Sequence, residues 1–378
     1  MKHVRLLHAG ALRLNNTFEA LGVSPETGDA LRAAQKDVLE KLAQQAQSLP
    51  ADMIILSGGL FATLPVRADL LLRVLECLEQ VAPTPVYIFP GAHEGLHDLS
   101  PWDFALVPDN VTVFSGTAWS SVDHPHLPVT IHGRTDAATP LDFRNLHFPE
   151  DGRIHIAGID CGNTSLDELQ EVPSRLAYLA LGTCQITADL KEKAGVCGCA
   201  AAAPQALSFD ECGEKHFFKV NITLDDHASI HTTVETLPSS SLLFEKRSLD
   251  IADLPSPDEN AAQLLALPEQ HLKRVLLKLV ITGTKNGRMI DHLHGFIKHL
   301  RPKLQHLEVE DMSRLNPDSL SAAGTEILTR DIAAQILQRL RDCTDYEEKQ
   351  RLEMSLRLLF KAVYDTHAGL NAEGLSEP

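Results

Sequence analysis

A chain of 378 residues with 44% hydrophobic residues has ample apolar material for a core, and its length exceeds what one core usually serves, so we expect a main domain of roughly 240 residues plus smaller ones. The formal net charge of −17 argues against nucleic-acid binding through the whole surface, because phosphate contacts need clustered Lys and Arg. The sequence has no run of about 18 apolar residues and begins with the polar stretch MKHVRLLHAG, which predicts a cytoplasmic protein with no membrane partner. Its seven Cys have no framework spacing, which predicts reduced thiols.

The first ninety residues alternate between predicted strands and helices. Strands are expected at Lys2–His8, Asp52–Leu56 and Pro85–Phe89, with helices at Pro25–Gln47 and through 68–75. This rhythm predicts α/β layers with parallel central strands. The first helix has apolar residues at helical spacing on one face, which is either core or a dimer contact: Leu31, Val38, Leu42 and Ala46.

Beyond residue 110 the pattern changes to short strands, which is typical of the second half of a two-sheet sandwich. They are expected at Val111–Phe114, Val129–His132, His155–Ile159 and Leu176–Leu181, followed by a hairpin of His216–Leu224 and Ser229–Glu235. We assign 1–238 to this main domain. Residues 239–268 are then predicted to be a linker with a helix near Glu259–Leu267.

The remaining chain indicates two further segments. In 269–320, a strand at Arg274–Gly283, a helix at Arg288–Leu300 and a strand at Leu304–Met312 predict a small βαβ-type domain. In 321–378, amphipathic helices are expected at Glu326–Arg341 and Tyr346–Val363.

Five predicted strands end in turn residues, and the carboxyl ends of parallel strands form the ligand crevice of α/β folds. The five segments are LLHAGALRL (Leu6–Leu14), ADMIILSGGLFA (Ala51–Ala62), PVYIFPGAHE (Pro85–Glu94), IHIAGIDCGN (Ile154–Asn163) and AYLALGTCQ (Ala177–Gln185). Their order resembles the calcineurin-like metallophosphoesterases and, within them, the SbcD-type DNA repair exonucleases. PWDFALVPDNVTVF (Pro101–Phe114) and SFDECGEKHFFKVNI (Ser208–Ile222) extend the resemblance.

The resemblance implies a two-sheet α/β sandwich flanked by helices, a small α/β domain capping the cleft, and a centre of two Mn ions. The ligand motifs, however, are degenerate. The family's D-x-H, G-D, G-N-H-D and G-H-x-H stand here as Ala11-Leu12-Arg13, Gly58-Gly59, Gly91-Ala92-His93-Glu94 and Gly182-Thr183-Cys184-Gln185, and the single His that closes a later strand aligns with Asp160. His93 keeps a family position that is catalytic in active members.

Two divalent ions need carboxylates, imidazoles and an amide oxygen converging from several strand ends. Ala11, Gly59, Ala92 and Thr183 provide no strong ligand, and Arg13 would place a fixed positive charge where a cation must sit. We therefore expect no metal cofactor and a pseudoenzyme that acts as a scaffold or partner-binding subunit in DNA metabolism.

Two alternatives remain open. In the first alternative, the chain is an active phosphodiesterase or nuclease with a rearranged site, in which His93, Glu94 and Asp160 bind one weaker ion. In the second alternative, the crevice binds a phosphate-bearing ligand through Arg13 and His93 without cleaving it, since Arg side chains bind phosphate oxygens well.

The resemblance also implies a partner, because in the family a helical segment after the cap docks on the coiled coil of an SbcC-like ATPase. The second C-terminal helix has an apolar stripe suited to this role: Leu352, Leu356, Leu359 and Val363, with Phe360 beside them. Packing on the chain's own cap, or a homodimer, is the alternative. DNA binding by the chain alone should be weak, with Leu293–His306 as a basic groove or simply a solvated helix end.

Other candidate residues favour structural roles. We expect His8 to be a hydrogen-bonded core residue rather than part of a metal cluster with His93, His132 and His155. Cys161 either packs in the core or faces the crevice, and packing is favoured.

Overall fold

The computed structural model describes residues 2–135, 151–162, 172–183, 188–190, 197–225, 229–254, 264–285 and 287–315, with isolated residues between 143 and 169 and between 332 and 359. The chain divides into two compact units. The first comprises Met1–Glu245 and Arg274–Leu276, and the second comprises Lys246–Lys273 and Leu277–Pro378.

Helices alternate with strands at the start of the chain, and strands dominate its middle. The first half contains β1 (Lys2–Gly10), α1 (Pro25–Ser48), β2 (Met53–Ser57), α2 (Ala68–Glu79), β3 (Val86–Phe89), α3 (Ala92–Gly95), β4 (Val111–Val113), β5 (Ser120–Asp123) and β6 (Val129–Gly133). It is followed by β7 (Ile154–Asp160), β8 (Leu176–Gly182), β9 (Ala188–Asp189), β10 (Gly198–Ala200), β11 (His216–Leu224), β12 (Ile230–Pro238) and β13 (Leu243–Asp250). The last elements are β14 (Val275–Thr282), β15 (Thr284–Lys285), α4 (Gly287–Leu300), β16 (His306–Asp311) and β17 (Arg314–Leu315).

Two six-stranded sheets form the first unit within the part of the chain that the structure describes. One has the order β12-β11-β1-β2-β3-β4 and the other has the order β5-β6-β7-β8-β10-β9. β1 to β4 are parallel, and so are β6, β7, β8 and β10, while the outer strands β5, β9, β11 and β12 run antiparallel to their neighbours. The parallel strands therefore end on one side of each sheet.

The two sheets pack face to face around one apolar core. Ile55 and Phe89 of the first sheet lie in the same buried cluster as Ile131 and Ile156 of the second. A separate cluster joins the other face of the first sheet to α1 and α2. The predicted two-sheet α/β sandwich flanked by helices is confirmed.

The start and face of α1 agree with the sequence prediction. The Ser24 side chain accepts a hydrogen bond from the Thr27 N–H, and Pro25 occupies the first turn, where its missing N–H has no helical partner to lose. The four predicted apolar residues are buried: Leu31, Val38, Leu42 and Ala46. This face of the helix is therefore core, and it is not available as a dimer surface.

The later elements agree in part with the sequence prediction. β14, α4 and β16 occupy the three predicted positions, and β13-β14-β16 form a three-stranded sheet. β13 was missed, and it lies inside the segment predicted to be a linker. The predicted helix near Glu259–Leu267 lies mostly outside the described residues, as do most positions of the two C-terminal helices. No helix in the described part of the chain is both long and apolar enough to cross a membrane.

Candidate functional site

The candidate site is a rim formed by the carboxyl ends of five strands in the first unit. Backbone hydrogen bonds join β1 to β2 past their ends, from Ala11 N to Ser57 O at 3.0 Å and from Arg13 N to Gly59 O at 3.1 Å. The Cys161 N–H likewise donates to Gly182 O at 3.1 Å at the ends of β7 and β8. The rim therefore contains residues from both sheets.

Thr183 connects the two halves of the rim. Its Oγ1 accepts a hydrogen bond from the Gly59 N–H at 3.2 Å. Gly58 has a φ of +80°, and a Cβ built on it would lie 2.3 Å from Thr183 Oγ1. Only glycine suits position 58, because a side chain would meet both the left-handed backbone and this close approach. This hydrogen bond links the two sheets at the rim, because Gly59 follows β2 and Thr183 follows β8.

Three rim residues other than glycine also have left-handed backbone. Ala11, Arg13 and Thr183 have φ values of 49°, 47° and 54°. This region costs an L-residue roughly 1–2 kcal/mol, and for a β-branched residue such as Thr it is rare. Such conformations persist where the surrounding structure imposes them, and they cluster at functional sites. The backbone of the rim is therefore strained at the positions where family ligands are expected.

The side chains of His93 and Asp160 both approach Gly91. A Cβ built on Gly91 would be 3.3 Å from His93 Nδ1 and 3.1 Å from Asp160 Oδ2. His93 Nε2 is 3.0 Å from the Phe61 carbonyl oxygen, and because a carbonyl can only accept, Nε2 carries the proton in this contact. The ring therefore keeps only Nδ1 as an acceptor when it is neutral.

Glu94, next to His93, is buried rather than open to the crevice. Its carboxylate accepts a hydrogen bond from the Phe61 N–H. The pKa of Glu94 is raised to about 8. Burial is the main cause and the charge of Asp160 adds to it, while hydrogen bonds from the Phe61 and Leu60 backbone and from Trp102 oppose the shift. At neutral pH Glu94 is therefore mostly protonated, which makes it a poor ligand for a cation.

The structure brings together most of the positions that the sequence singled out. Ala11, Arg13, Gly59, His93, Asp160 and Thr183 all lie at the rim. Ala92 begins α3, and its side chain, like Cys184 and Gln185, lies outside what the structure describes. Within the described residues no three His, Cys, Asp or Glu side chains come together as a metal-binding group.

Directly beneath the rim is a buried polar network. His8 Nε2 lies 2.6 Å from Ser57 Oγ, and His8 Nδ1 lies 2.9 Å from the Tyr178 hydroxyl. Burial lowers the pKa of His8 to about 3, so the ring is neutral. The prediction of a hydrogen-bonded core histidine is confirmed, but the sequence did not identify Tyr178 as its partner.

Two other predicted roles can be compared with the structure. His132 Nε2 lies 3.0 Å from His155 Nδ1, so these rings bond to each other at a separate place from His8. Cys161 is buried and belongs to the apolar cluster on the outer face of the second sheet, with Ile159 and Leu181. The packing role favoured for Cys161 is confirmed.

Of the comparisons with known proteins, the one with solved structures found similar chains. No protein-family model and no curated protein matches this sequence. TT1561 of Thermus thermophilus is 14% identical with a TM-score of 0.33, covering 61% of this chain and 99% of its own. A hypothetical protein from the same organism is 11% identical with a TM-score of 0.38, covering 62% and 100%. Vps29 of Chaetomium thermophilum is 13% identical with a TM-score of 0.23, covering 63% and 97%. These values support no conclusion about activity or descent.

Proposed function

We propose that this chain is a metallophosphoesterase-like protein related to the SbcD-type exonucleases that has lost two-metal catalysis. It acts as a non-catalytic scaffold or partner-binding subunit in DNA metabolism. The observation that carries the proposal is the rim itself, where strained strand ends converge without the side chains that two cations need. The resemblance of the five segments supports the proposed family, and the side chains at the rim support the proposed loss of catalysis.

The chemistry of each rim residue supports this proposal. A side chain at position 59 would meet His93, because a Cβ built there lies 3.2 Å from His93 Cε1. The protonated state of Glu94 removes one of the three donors that a single weaker ion would need. Arg13 adds a charge that repels cations. A rearranged one-metal site is therefore less well supported than the loss of the metal centre.

The strained backbone favours a retained scaffold over an unrelated sandwich. Left-handed conformations at Ala11, Arg13 and Thr183 cost folding free energy, yet none of these three side chains is a strong metal ligand. We interpret these conformations as geometry that formerly aimed metal ligands into the crevice.

The partner-binding role rests on the C-terminal segment 321–378. Its stripe of Leu352, Leu356, Leu359 and Val363 belongs to a predicted amphipathic helix, and short helices at a chain end must bury such a stripe to be stable. We propose that it docks on the coiled-coil base of an SbcC-like ATPase, as a helix laid into a groove.

Co-purification tests this docking. The double variant Leu356→Asp and Phe360→Asp should abolish recovery of the ATPase while the chain stays folded, since a buried carboxylate opposes docking. Leu106→Asp is the matched control, because Leu106 is 94% exposed in the first unit. Recovery of the ATPase by the double variant, or none by the unmodified chain, would reject the partner.

An exonuclease assay tests the other half of the proposal. The purified chain should release no nucleotides from linear DNA in millimolar manganese. Manganese-dependent release that disappears in His93→Ala would instead support the rearranged active site.

A further inference from the structure

A cavity of about 400 Å³ lies between α1, α2 and the segment that follows Arg13. Its walls include four basic side chains, on a chain whose formal net charge is −17. These are Arg32, Lys36, Arg67 and Arg73, and they stand against two acidic residues, Glu19 and Asp69. Asp29 and Glu40 pair with Arg32 and Arg73 from beside the cavity, so four carboxylates balance the four basic groups. An anionic ligand would bind here by taking the place of these carboxylates on the guanidinium groups.

The basic side chains are free to exchange their present partners. Arg32 pairs with Asp29 at 2.6 Å, Arg67 with Asp69 at 2.5 Å and Arg73 with Glu40 at 2.6 Å, in each case with exposed side chains. Exposed ion pairs of this kind contribute roughly 0–1 kcal/mol, so a more highly charged anion can replace the carboxylates. Lys36 is exposed and forms no ion pair with any residue that the structure describes.

A phosphate group is the anion that suits this arrangement. Guanidinium groups match phosphate oxygens with two parallel hydrogen bonds, and a lysine ammonium adds a point charge. Asn15 and Asn16 also line the cavity, and their amides can donate to further oxygens.

A second cavity of about 310 Å³ adjoins the first, and the two share Leu14, Lys36, Leu70 and Arg73. Leu39, Val74 and Cys77 give it an apolar floor, and all three are buried. Gln44 and Gln80 lie among its walls, and glutamine amides both donate and accept hydrogen bonds. This cavity suits a flat, hydrogen-bonding group rather than a second anion.

We propose that the two cavities form one site for a nucleotide-like phosphorylated small molecule. Its phosphates bind among Arg32, Lys36, Arg67 and Arg73, and its heterocycle lies between α1 and α2. Each volume lies at the small end of the range of about 300–1,000 Å³ found for ligand pockets, and the joined cavities lie well within it. The site is separate from the metal-ligand positions of the rim, so it does not depend on the proposed loss of catalysis.

Isothermal titration calorimetry of the full chain with ADP, pyrophosphate and adenosine tests the proposal. ADP should bind more tightly than either pyrophosphate or adenosine, because only ADP fills both cavities. Lys36→Gln and Arg73→Gln should each raise the ADP Kd by about tenfold, the expected loss for one charge-assisted contact. Lys219→Gln is the matched control, since Lys219 is also ion-paired, to Glu235 at 3.0 Å, but lines neither cavity.

Several results would overturn the proposal. If ADP gives no heat of binding at millimolar concentration, the proposed site does not exist. If adenosine binds as tightly as ADP, the proposed phosphate contacts do not contribute to binding. If pyrophosphate binds as tightly as ADP, the second cavity does not bind the heterocycle. An equal rise in Kd for Lys219→Gln would show that overall charge, rather than the cavity, governs binding. Circular dichroism of each variant checks that the fold is intact.

Discussion

The rim and the polar layer directly beneath it differ in what their side chains are required to do. In the buried layer His8, Ser57 and Tyr178 form a hydrogen-bonded chain, and all three are almost wholly buried. At the rim, Ala11, Arg13, Gly59 and Thr183 lie at the strand ends, and none of their side chains is a strong metal ligand. The two layers are two residues apart along the chain, since Ser57 ends β2 and Gly59 lies at the rim.

The difference shows which parts of a binding site a fold can lose. A buried polar group left without a partner costs about 1–3 kcal/mol, so the members of a buried network must be kept or lost together. A metal ligand at the rim serves the metal, and its loss removes function with little effect on stability. A fold of this kind can therefore persist when ligands at its rim are replaced, as we propose for this chain.

The largest effect should follow from breaking the buried layer. His8→Leu removes the His8 contact of Ser57 Oγ and leaves the Tyr178 hydroxyl with Cys199 alone as its side-chain partner among the residues that the structure describes. We therefore expect a loss of about 2–4 kcal/mol in the free energy of unfolding. Urea denaturation followed by circular dichroism measures it. A loss below about 0.5 kcal/mol would contradict the structural role of this layer, since that is the size expected for a neutral surface change.

Glu94, a buried residue next to His93 of the rim, should make the free energy of unfolding depend on pH. Its pKa is raised from 4.5 to about 8 by burial, so between these values the folded chain holds a proton that the unfolded chain has released. The stability of the protein should therefore fall as pH rises through this window, by up to about 1.4 kcal/mol per pH unit from this group.

Glu94→Gln should remove that pH dependence while keeping the acceptor for the Phe61 N–H. Urea denaturation at pH 5, 6.5 and 8 compares the variant with the unmodified chain. The variant should gain relative stability as pH rises. Parallel curves for the two proteins would show that Glu94 is ionised in the folded state.

The smallest effect is expected at the rim. His93→Ala removes a hydrogen bond to the Phe61 carbonyl from an exposed side chain, so the loss should stay below about 1 kcal/mol. Any biological activity should also be unchanged, because a general acid has no role without a metal-bound nucleophile. A loss as large as that of His8→Leu would erase the distinction between the layers.

The sequence predicted the strand ends because they combine apolar runs with turn residues. Gly58 and Gly59 mark the turn after β2, and the order of five such turns indicated which residues would meet at the rim. The burial of Glu94 was not predictable in this way. The residue follows His93 in a motif that suggested a ligand, and only packing against the Phe61 backbone shows that its carboxyl lies inside the protein.

The missed strands lack the patterns on which strand prediction depends. β10 consists of Gly198, Cys199 and Ala200, whose small side chains give no alternation of apolar and polar residues. β13 begins with two buried residues and continues as EKRSLD. In this stretch charged or polar residues occupy the exposed positions, and the charged Glu245 and Arg247 also occupy half-buried ones, so the strand has little alternation of apolar and polar residues. Nearby prolines and serines favoured a linker, but pairing with β14 makes the segment a strand. Such pairing is a long-range contact that local sequence does not specify.

The central claim is that the rim holds no pair of metal ions, and anomalous scattering from crystals grown in millimolar manganese tests it most directly. Loss of a single ligand normally weakens binding severely, and here most of the expected ligands are absent while Arg13 opposes a cation. We expect no anomalous peak between the ends of β1, β2, β3, β7 and β8. Two peaks roughly 3.5–4 Å apart at the rim, the usual spacing of a two-metal site, would contradict the claim.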